Sequence, residues 1–229
     1  MARTRDGVRL DDRLAEVVAS VGIPPGGLVE RREPLDEPIA ALHRLVLDGF
    51  LTLGGPPDRS WLADAAGRAG VAVDVGTGLE RLAEVDLIGL DERAAIAAAY
   101  PFSGVATRHW VTLDGCPAVA AMCVIDAIAI PLVTGRIGLV MSEEPGSALP
   151  VRIAVVEGEA RWDPPEAVTV FGVIGTSGPL AASCCPAMDA FTSRGAAERH
   201  LAEHPEIGGE ILDQAESEAV AHFIFDGLF

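Results

Sequence analysis

Helical segments come first in this chain and strand-like segments follow, and this order constrains the fold more than any other feature. Apolar residues repeat at three- and four-residue steps in "EPIAALHRLVLDGFL" (37–51), which is typical of an amphipathic helix. Two more helical segments follow, "PDRSWLADAAGRAG" (57–70) and "DVGTGLERLAEVD" (74–86). With a small hairpin expected at 87–104, the order is that of a winged helix.

The second half predicts a sheet that helices interrupt. Strand-like segments occur at 108–113, 136–142, 151–162 and 167–175, separated by turn signals such as "EEPGS" and "DPPE". Helices are expected at roughly 117–133 and at 193–205. We therefore predict an α+β fold, in which a winged-helix-like helical domain packs on a domain with a mixed or antiparallel sheet and helices.

The expected organisation has three parts. Residues 1–35 are charged and broken by "GIPPGG" and "REPLDEP", so they form an N-terminal arm with one short helix near 12–21. Residues 36–100 form the helical domain, and residues 101–229 form the α+β domain. The start lacks an apolar signal stretch, and the longest apolar run, 118–133, is short and contains Asp126, so we expect a cytoplasmic protein without a membrane partner.

The charge of the chain excludes several classes of function. The formal net charge is −17, which repels the phosphates of nucleic acid. The third helix carries Asp74, Glu80, Glu84 and Asp86 against Arg81 alone, so we expect no nucleic-acid partner. All 17 basic residues are arginine, which excludes a Schiff-base lysine, attached pyridoxal phosphate and a P-loop lysine.

Cys123 and Asp126 are the strongest candidates for chemistry. They are three residues apart in the apolar stretch "AAMCVIDAIAIP" (120–131), so on a helix they share one face. A position near the helix N-terminus stabilises a thiolate, whereas apolar surroundings raise the pKa of a carboxyl and let it hold a proton. The alternative is a structural cysteine beside an aspartate that bonds to the backbone.

The adjacent cysteines in "AASCCPAMDAF" supply a second candidate thiol. If this segment is extended, Cys184 and Cys185 point to opposite sides, so one of them faces a given pocket. Core packing or a redox-labile pair is the alternative. Two cysteines and a carboxylic acid that converge on an apolar pocket select a soft metal such as mercury or copper(I).

Other candidates are weaker. His200 and His204 have the spacing of a metal pair, but on an amphipathic helix we expect solvated side chains. "GVIGTSG" (172–178) has no phosphate-loop lysine and predicts a turn. Ser183 has no nucleophile-elbow motif around it.

At these residues the chain resembles the organomercurial lyases, also called alkylmercury lyases. The resemblance rests on "RHWVTLDGCPAVAAMCVIDAIAIPLVTGR" (108–136), on "SCCPAMDAF", and on "AERHLAEHPEIGGEILDQAESEAVAHFIF" (197–225), which is similar to the closing helices of the family. It covers roughly residues 40–225. Many members have a further cysteine after the Gly-Arg, where this chain places Glu144, and Cys116 has no family role.

The resemblance implies a reaction and its residues. Cys123 and Cys184 correspond to the two thiols that bind mercury, and Asp126 to the carboxylate that handles the proton. Thiolate attacks the mercury of R–Hg⁺, the carbon receives a proton, and R–H leaves while the thiols hold Hg²⁺. No organic cofactor is needed, and Hg²⁺ passes to a mercuric reductase or to small thiols. Cys184→Ser is expected to lose activity and Cys185→Ser to retain most of it.

Two other hypotheses remain open on the sequence. The first is a binding protein whose thiols hold copper(I) or Hg²⁺ without turnover. Asp126 separates it from a lyase, because cleavage of a carbon–metal bond needs a proton source and storage does not. The second is a regulator with a winged helix and a thiol sensor, which the acidic third helix disfavours.

Overall fold

In the computed structural model, residues 9–175 and 178–229 are described. Residues 1–8 of the expected arm and residues 176–177 of the expected turn at 172–178 lie outside the described residues. The arm contains a short helix, α1 (Asp12–Ser20), at the expected place. Its buried residues Leu14, Val17 and Val18 belong to the main hydrophobic core, so this part of the arm is packed on the rest of the molecule.

Aspartates start the first four α-helices of the chain. The three expected helical segments form α2 (Glu37–Leu53), α3 (Arg59–Ala69) and α4 (Val75–Glu84). Before each helix, and before α1, an aspartate side chain accepts a hydrogen bond from the backbone N–H three residues later; these residues are Asp11, Asp36, Asp58 and Asp74. Each cap stabilises its helix by about 0.5–2 kcal/mol. Part of the acidic composition therefore has a structural role.

A small antiparallel sheet follows these helices. It contains β1 (Ile88–Leu90), β2 (Ile96–Ala99) and β3 (Phe102–Ser103) in sequence order. This is the three-helix-and-wing order that the sequence predicts. The sheet extends slightly beyond residue 100, the expected limit of the helical domain.

Two further sheets make up the second half. The larger one has the strand order β5-β4-β6-β7-β8 and is antiparallel throughout; the strands are β4 (His109–Leu113), β5 (Val119–Ala120), β6 (Gly138–Glu143), β7 (Pro150–Val156) and β8 (Glu159–Asp163). Between β5 and β6 lies helix α5 (Val124–Thr134). The expected helix at 117–133 therefore starts later than predicted, because residues 119–120 pair with β4 instead.

The third sheet and three helices close the chain. The elements are β9 (Val168–Ile174), α6 (Leu180–Ser183), β10 (Ala190–Phe191), α7 (Arg194–Glu203), β11 (Ile207–Leu212) and α8 (Gln214–Phe225). The strand order is β10-β9-β11, and β11 pairs with β9 through Gly209 opposite Gly172. A Cβ atom on Gly209 would lie 2.8 Å from the Phe171 carbonyl oxygen, so the pairing of β11 with β9 requires glycine at position 209. The architecture is α+β, as predicted.

Helix α5 lies at the centre of the core. All its residues from Val124 to Pro131 are buried, and it packs on α8 and on strands of the large sheet. One hydrophobic cluster includes residues of both halves, such as Phe50 of α2 and Val111 of β4. Helix α5 therefore belongs to a core that both halves of the described chain share. No helix in the described part is long and apolar enough to cross a membrane.

His43 of α2 is fully buried, and neither ring nitrogen has a hydrogen-bond partner among the described residues. Burial, together with the positive charges of Arg32 and Arg44, lowers the pKa of His43 from 6.5 to about 3. The unfolded chain binds a proton at this position below pH 6.5, whereas the folded protein does not. The stability that the neutral ring contributes is therefore present above pH 6.5 and is lost as the pH falls.

We expect wild-type protein to lose about 2 kcal/mol more stability than His43→Leu between pH 7 and pH 5. The reason is that leucine cannot titrate, while all other groups are common to the two proteins. Urea unfolding of both proteins at several pH values measures this difference. Parallel stability curves would contradict the assignment of a neutral buried histidine.

Candidate active site

Cys123 and Asp126 meet at the N-terminus of α5. Cys123 is the residue that precedes the first turn, in extended backbone, and Asp126 lies within that turn. The Cys123 Sγ donates a hydrogen bond to Asp126 Oδ2 over 2.7 Å. Their exposures are 1% and 4%, so the pair is isolated from bulk water. The predicted proximity is present, with Cys123 at the N-cap position rather than inside the helix.

Cys185 completes a group of three. It begins a short 3₁₀ turn, Cys185–Ala187, and its Sγ lies 3.8 Å from Asp126 Oδ2. One ligand atom from each of Cys123, Asp126 and Cys185 lies within 4.8 Å of the other two. This spacing suits a single soft metal ion bound by two sulfurs. Among the described residues, no other trio of histidine, cysteine and acidic side chains meets the same distance limit.

The structure places Cys185 in this group instead of the predicted Cys184. The Cys184 Sγ lies 3.3 Å from the Leu180 carbonyl oxygen, to which it donates. The prediction depended on an extended segment, but the chain is helical here, from α6 through Cys184 into the 3₁₀ turn. Successive side chains on a helix are rotated by about 100°, and the packing of α6 therefore decides which thiol faces Asp126.

Residues of the first half hold the N-terminus of α6. The Leu180 N–H donates to Asp86 Oδ2 over 3.2 Å, and the Ala181 N–H donates to the Tyr100 hydroxyl over 2.8 Å. That hydroxyl donates to Asp86 Oδ1 over 3.0 Å, and Arg31 forms an ion pair with Asp86 at 2.6 Å. These contacts fix the start of the helix that precedes the two cysteines. Sequence reasoning missed them; the one weak signal is that Tyr100 is the single tyrosine of the chain.

Met188 links the two segments of the site. Its carbonyl oxygen accepts a hydrogen bond from the Val124 N–H over 3.3 Å, and its Sδ lies 3.7 Å from the Cys123 Sγ. The thioether is 3% exposed. The surroundings of Cys123 are thus soft and apolar apart from Asp126, which favours a soft ligand over a hydrated ion.

Burial and hydrogen bonds within the group control the protonation of these three side chains. Burial raises the pKa of Asp126 to about 7 and that of Cys123 to about 12. The pKa of Cys185 is raised by hydrogen bonding to Cys123, then to Cys184, and by burial. The helix N-terminus was expected to favour a Cys123 thiolate, but desolvation outweighs the backbone N–H of Asp126. Near neutral pH the site therefore holds two thiols and a carboxyl group that is able to take up or release a proton.

Two cavities meet at Cys185. A small inner cavity of about 20 Å³ is lined by all three members of the group, by Cys184 and by apolar residues such as Ile125 and Phe225. On the other side, Cys185 lines a larger cavity of about 690 Å³. Cys123 and Asp126 contribute to the inner cavity, so Cys185 is the member of the group placed between the two.

The remaining candidates lie elsewhere in other roles. The imidazole rings of His200 and His204 are 4.5 Å apart, and His204 Nδ1 lies 3.0 Å from Glu206. Ser183 donates to the Pro179 carbonyl oxygen. Cys116 accepts a hydrogen bond from Arg136 at 2.7 Å. It does not belong to the group of Cys123, Asp126 and Cys185.

Glu144 has a structural partner. It stands where the resemblance leads us to expect a further cysteine in many members of the family, and it accepts hydrogen bonds from the Thr192 N–H and hydroxyl, each at 2.7 Å. Glu144 thereby joins the end of β6 to the segment that follows β10.

Comparison with known proteins gives a family model and a solved structure of similar fold. Residues 102–226, more than half of the chain, match the family model described as MerB, alkylmercury lyase. No curated protein matches the chain. A solved structure, the mercury-bound form of MerB2, has a similar fold, with a TM-score of 0.70 and 17% sequence identity over 93% of this chain and 98% of that chain. At this identity the similarity to that structure concerns the fold.

Proposed function

Because the chain belongs to the alkylmercury lyase family, we propose that it cleaves the carbon–mercury bond of organomercurials and releases the hydrocarbon. The observation that carries this proposal is the buried group of Cys123, Asp126 and Cys185, whose ligand atoms lie within 4.8 Å of one another. Two thiols can hold mercury, and the carboxyl group between them can move a proton.

In the first step, the Cys185 sulfur attacks the mercury of R–Hg–X, where X is a thiolate brought by the substrate. Cys185 is in the wall of the larger cavity, so it meets the substrate first. A bond forms between mercury and the Cys185 sulfur, and the bond to X breaks. The proton of the Cys185 thiol leaves with X as a free thiol.

In the second step, Cys123 adds its sulfur to the same mercury. Its proton moves to Asp126 Oδ2, which is 2.7 Å from the Cys123 Sγ. The protonated carboxyl group then delivers that proton to the carbon bound to mercury. The carbon–mercury bond breaks, R–H leaves, and Hg²⁺ stays on two sulfurs beside an Asp126 carboxylate, so atoms and charges balance without an organic cofactor.

The raised pKa of Asp126, about 7, supports this role. A general acid is most effective when its pKa is near the working pH. Storage of Hg²⁺ or copper(I) without turnover would use the same thiols but would have no need of a carboxylic acid. We propose that the bound Hg²⁺ then passes to small thiols or to a mercuric reductase in the cytoplasm.

Incubation of the protein with phenylmercury and excess thiol is the direct test. We expect benzene to form over many turnovers, as measured by gas chromatography. Cys116→Ser is the matched control, because it removes a thiol outside the group and should keep the wild-type rate. If wild-type protein binds mercury but releases no benzene, the result would contradict the lyase and favour storage of the metal without turnover.

A further inference from the structure

The larger cavity at Cys185 has a strongly acidic wall. Three carboxylates line it, those of Glu143, Glu144 and Asp189, together with one guanidinium group, that of Arg108. The cavity therefore has more negative than positive charge directly in front of the thiol that we propose meets the substrate first.

The single guanidinium group of the wall already has a carboxylate neighbour. Arg108 Nη1 lies 3.5 Å from Asp189 Oδ1, and the same oxygen lies 3.3 Å from His109 Nε2. His109 is buried, and its Nδ1 lies 2.9 Å from the Ser142 hydroxyl. Arg108 and Asp189 thus largely balance each other, which leaves the two glutamates to set the charge of the cavity.

The contacts of Glu144 favour its ionised form. Burial opposes ionisation of Glu144, but hydrogen bonds from Thr192 and Ser147 and the nearby charge of Arg199 lower its pKa. Glu143 is the exposed last residue of β6. The net charge of −17 adds to the same field. A positive group on an incoming thiol is attracted into the cavity. A negative group that an incoming thiolate carries in addition to its sulfur is repelled.

We propose that this cavity receives the small thiol that exchanges mercury with Cys185, and that it selects neutral or cationic thiols, such as aminothiols, over anionic ones. The inference rests on the proposed function, because it assigns the partner of the same site. The exchange is a ligand substitution without change of oxidation state. A mercury–sulfur bond to the incoming thiol forms, the bond to Cys185 breaks, and the proton of the incoming thiol is taken up by the Cys185 thiolate.

The test is removal of mercury from protein loaded with one equivalent of Hg²⁺. Three thiols of similar size are compared at equal thiolate concentration: cysteamine, 2-mercaptoethanol and 3-mercaptopropionate. Each rate is divided by the rate at which the same thiol removes Hg²⁺ from a small dithiol. We expect removal to be about tenfold faster for cysteamine than for 3-mercaptopropionate, and the difference to shrink at high salt.

Substitutions at Glu143 test the assignment to the cavity. Glu143→Gln should reduce the ratio between cysteamine and 3-mercaptopropionate, and Glu143→Lys should reduce it further or reverse it. Comparison of this rate ratio between variants removes the intrinsic reactivity of each thiol, because that reactivity is the same for every variant. Glu80→Gln on α4 makes the same charge change away from the cavity, so it should leave the ratio unchanged.

The outcomes separate this inference from the proposed function, because removal of Hg²⁺ does not require cleavage. The inference would be overturned, even if benzene is released, if the three thiols removed Hg²⁺ from wild-type protein at equal normalised rates. It would also be overturned if Glu143→Gln and Glu80→Gln changed the ratio between cysteamine and 3-mercaptopropionate equally. If the three thiols remove Hg²⁺ at rates in the expected order but the protein releases no benzene, the inference is supported and the proposed lyase activity is contradicted. The wild-type series needs no substitution, so it stands even if a variant fails to fold.

Discussion

Asp126→Asn is expected to lower single-turnover benzene release from phenylmercury by ~10²–10⁴-fold, which is the usual contribution of a positioned acid. Asparagine has nearly the same volume, and its carbonyl oxygen can still accept the hydrogen bond of Cys123, which Asp126 Oδ2 accepts at 2.7 Å. It cannot deliver a proton to carbon. Both thiols remain, so we expect the variant to bind one mercury per protein.

Stability gives an independent readout for the same substitution. Burial raises the folded-state pKa of Asp126 from 3.8 to about 7, so the folded protein holds a proton that the unfolded chain releases above pH 3.8. The contribution of the neutral carboxyl group is therefore complete below pH 3.8 and is lost as the pH rises through 7. Asparagine avoids this loss, and the variant should gain stability relative to wild type between pH 5 and pH 7.

The two measurements separate chemistry from folding. A variant that is more stable at pH 7, binds mercury and releases no benzene has lost a proton donor. If the variant cleaves at the wild-type rate, the protein is a lyase but Asp126 takes no part in its mechanism. Unchanged pH dependence of unfolding would show that the carboxyl group is not the buried, protonated group that the structure indicates.

Local signals in the sequence predicted much of the fold. The helices α2, α3 and α4 were expected from apolar spacing, which is a local property, and the structure contains them. The proximity of Cys123 and Asp126 also follows from a three-residue spacing. Such features depend on residues close together in the chain, so no tertiary information is needed to predict them.

Sequence patterns are less informative where tertiary packing decides the outcome. Residues 119–120 pair with β4 instead of extending α5, and β11 lies between α7 and α8, where Gly209 permits close pairing with β9. Which of Cys184 and Cys185 faces Asp126 depends on the rotation of α6. Tyr100 and Asp86 fix that rotation from about 80 to 95 residues away, and no local pattern reports it.

Cys185→Ser is expected to lower both mercury retention and benzene release by roughly 10²-fold or more, because loss of a primary ligand should exceed the 10–100-fold effect typical of its supporting residues. Cys184→Ser should keep most of the activity, since a serine hydroxyl can still donate to the Leu180 carbonyl oxygen, which the thiol contacts at 3.3 Å. The two variants are matched, because each replaces one sulfur by oxygen in adjacent buried positions with exposures of 3% and 7%. Single-turnover benzene release and mercury bound per protein measure both effects.

The pattern of loss in these two variants also reports on movement of the thiol segment. A loss confined to Cys185→Ser means that the arrangement with Cys185 beside Asp126 is the one that reacts. A loss confined to Cys184→Ser means that α6 rotates when mercury binds, which requires the bonds from Leu180 and Ala181 to Asp86 and Tyr100 to change. In that case Tyr100→Phe, which removes one of these bonds, should alter the rate of mercury binding before any chemistry. Equal loss in both variants would mean that both adjacent thiols take part, with Cys185 receiving the mercury and Cys184 holding it during cleavage.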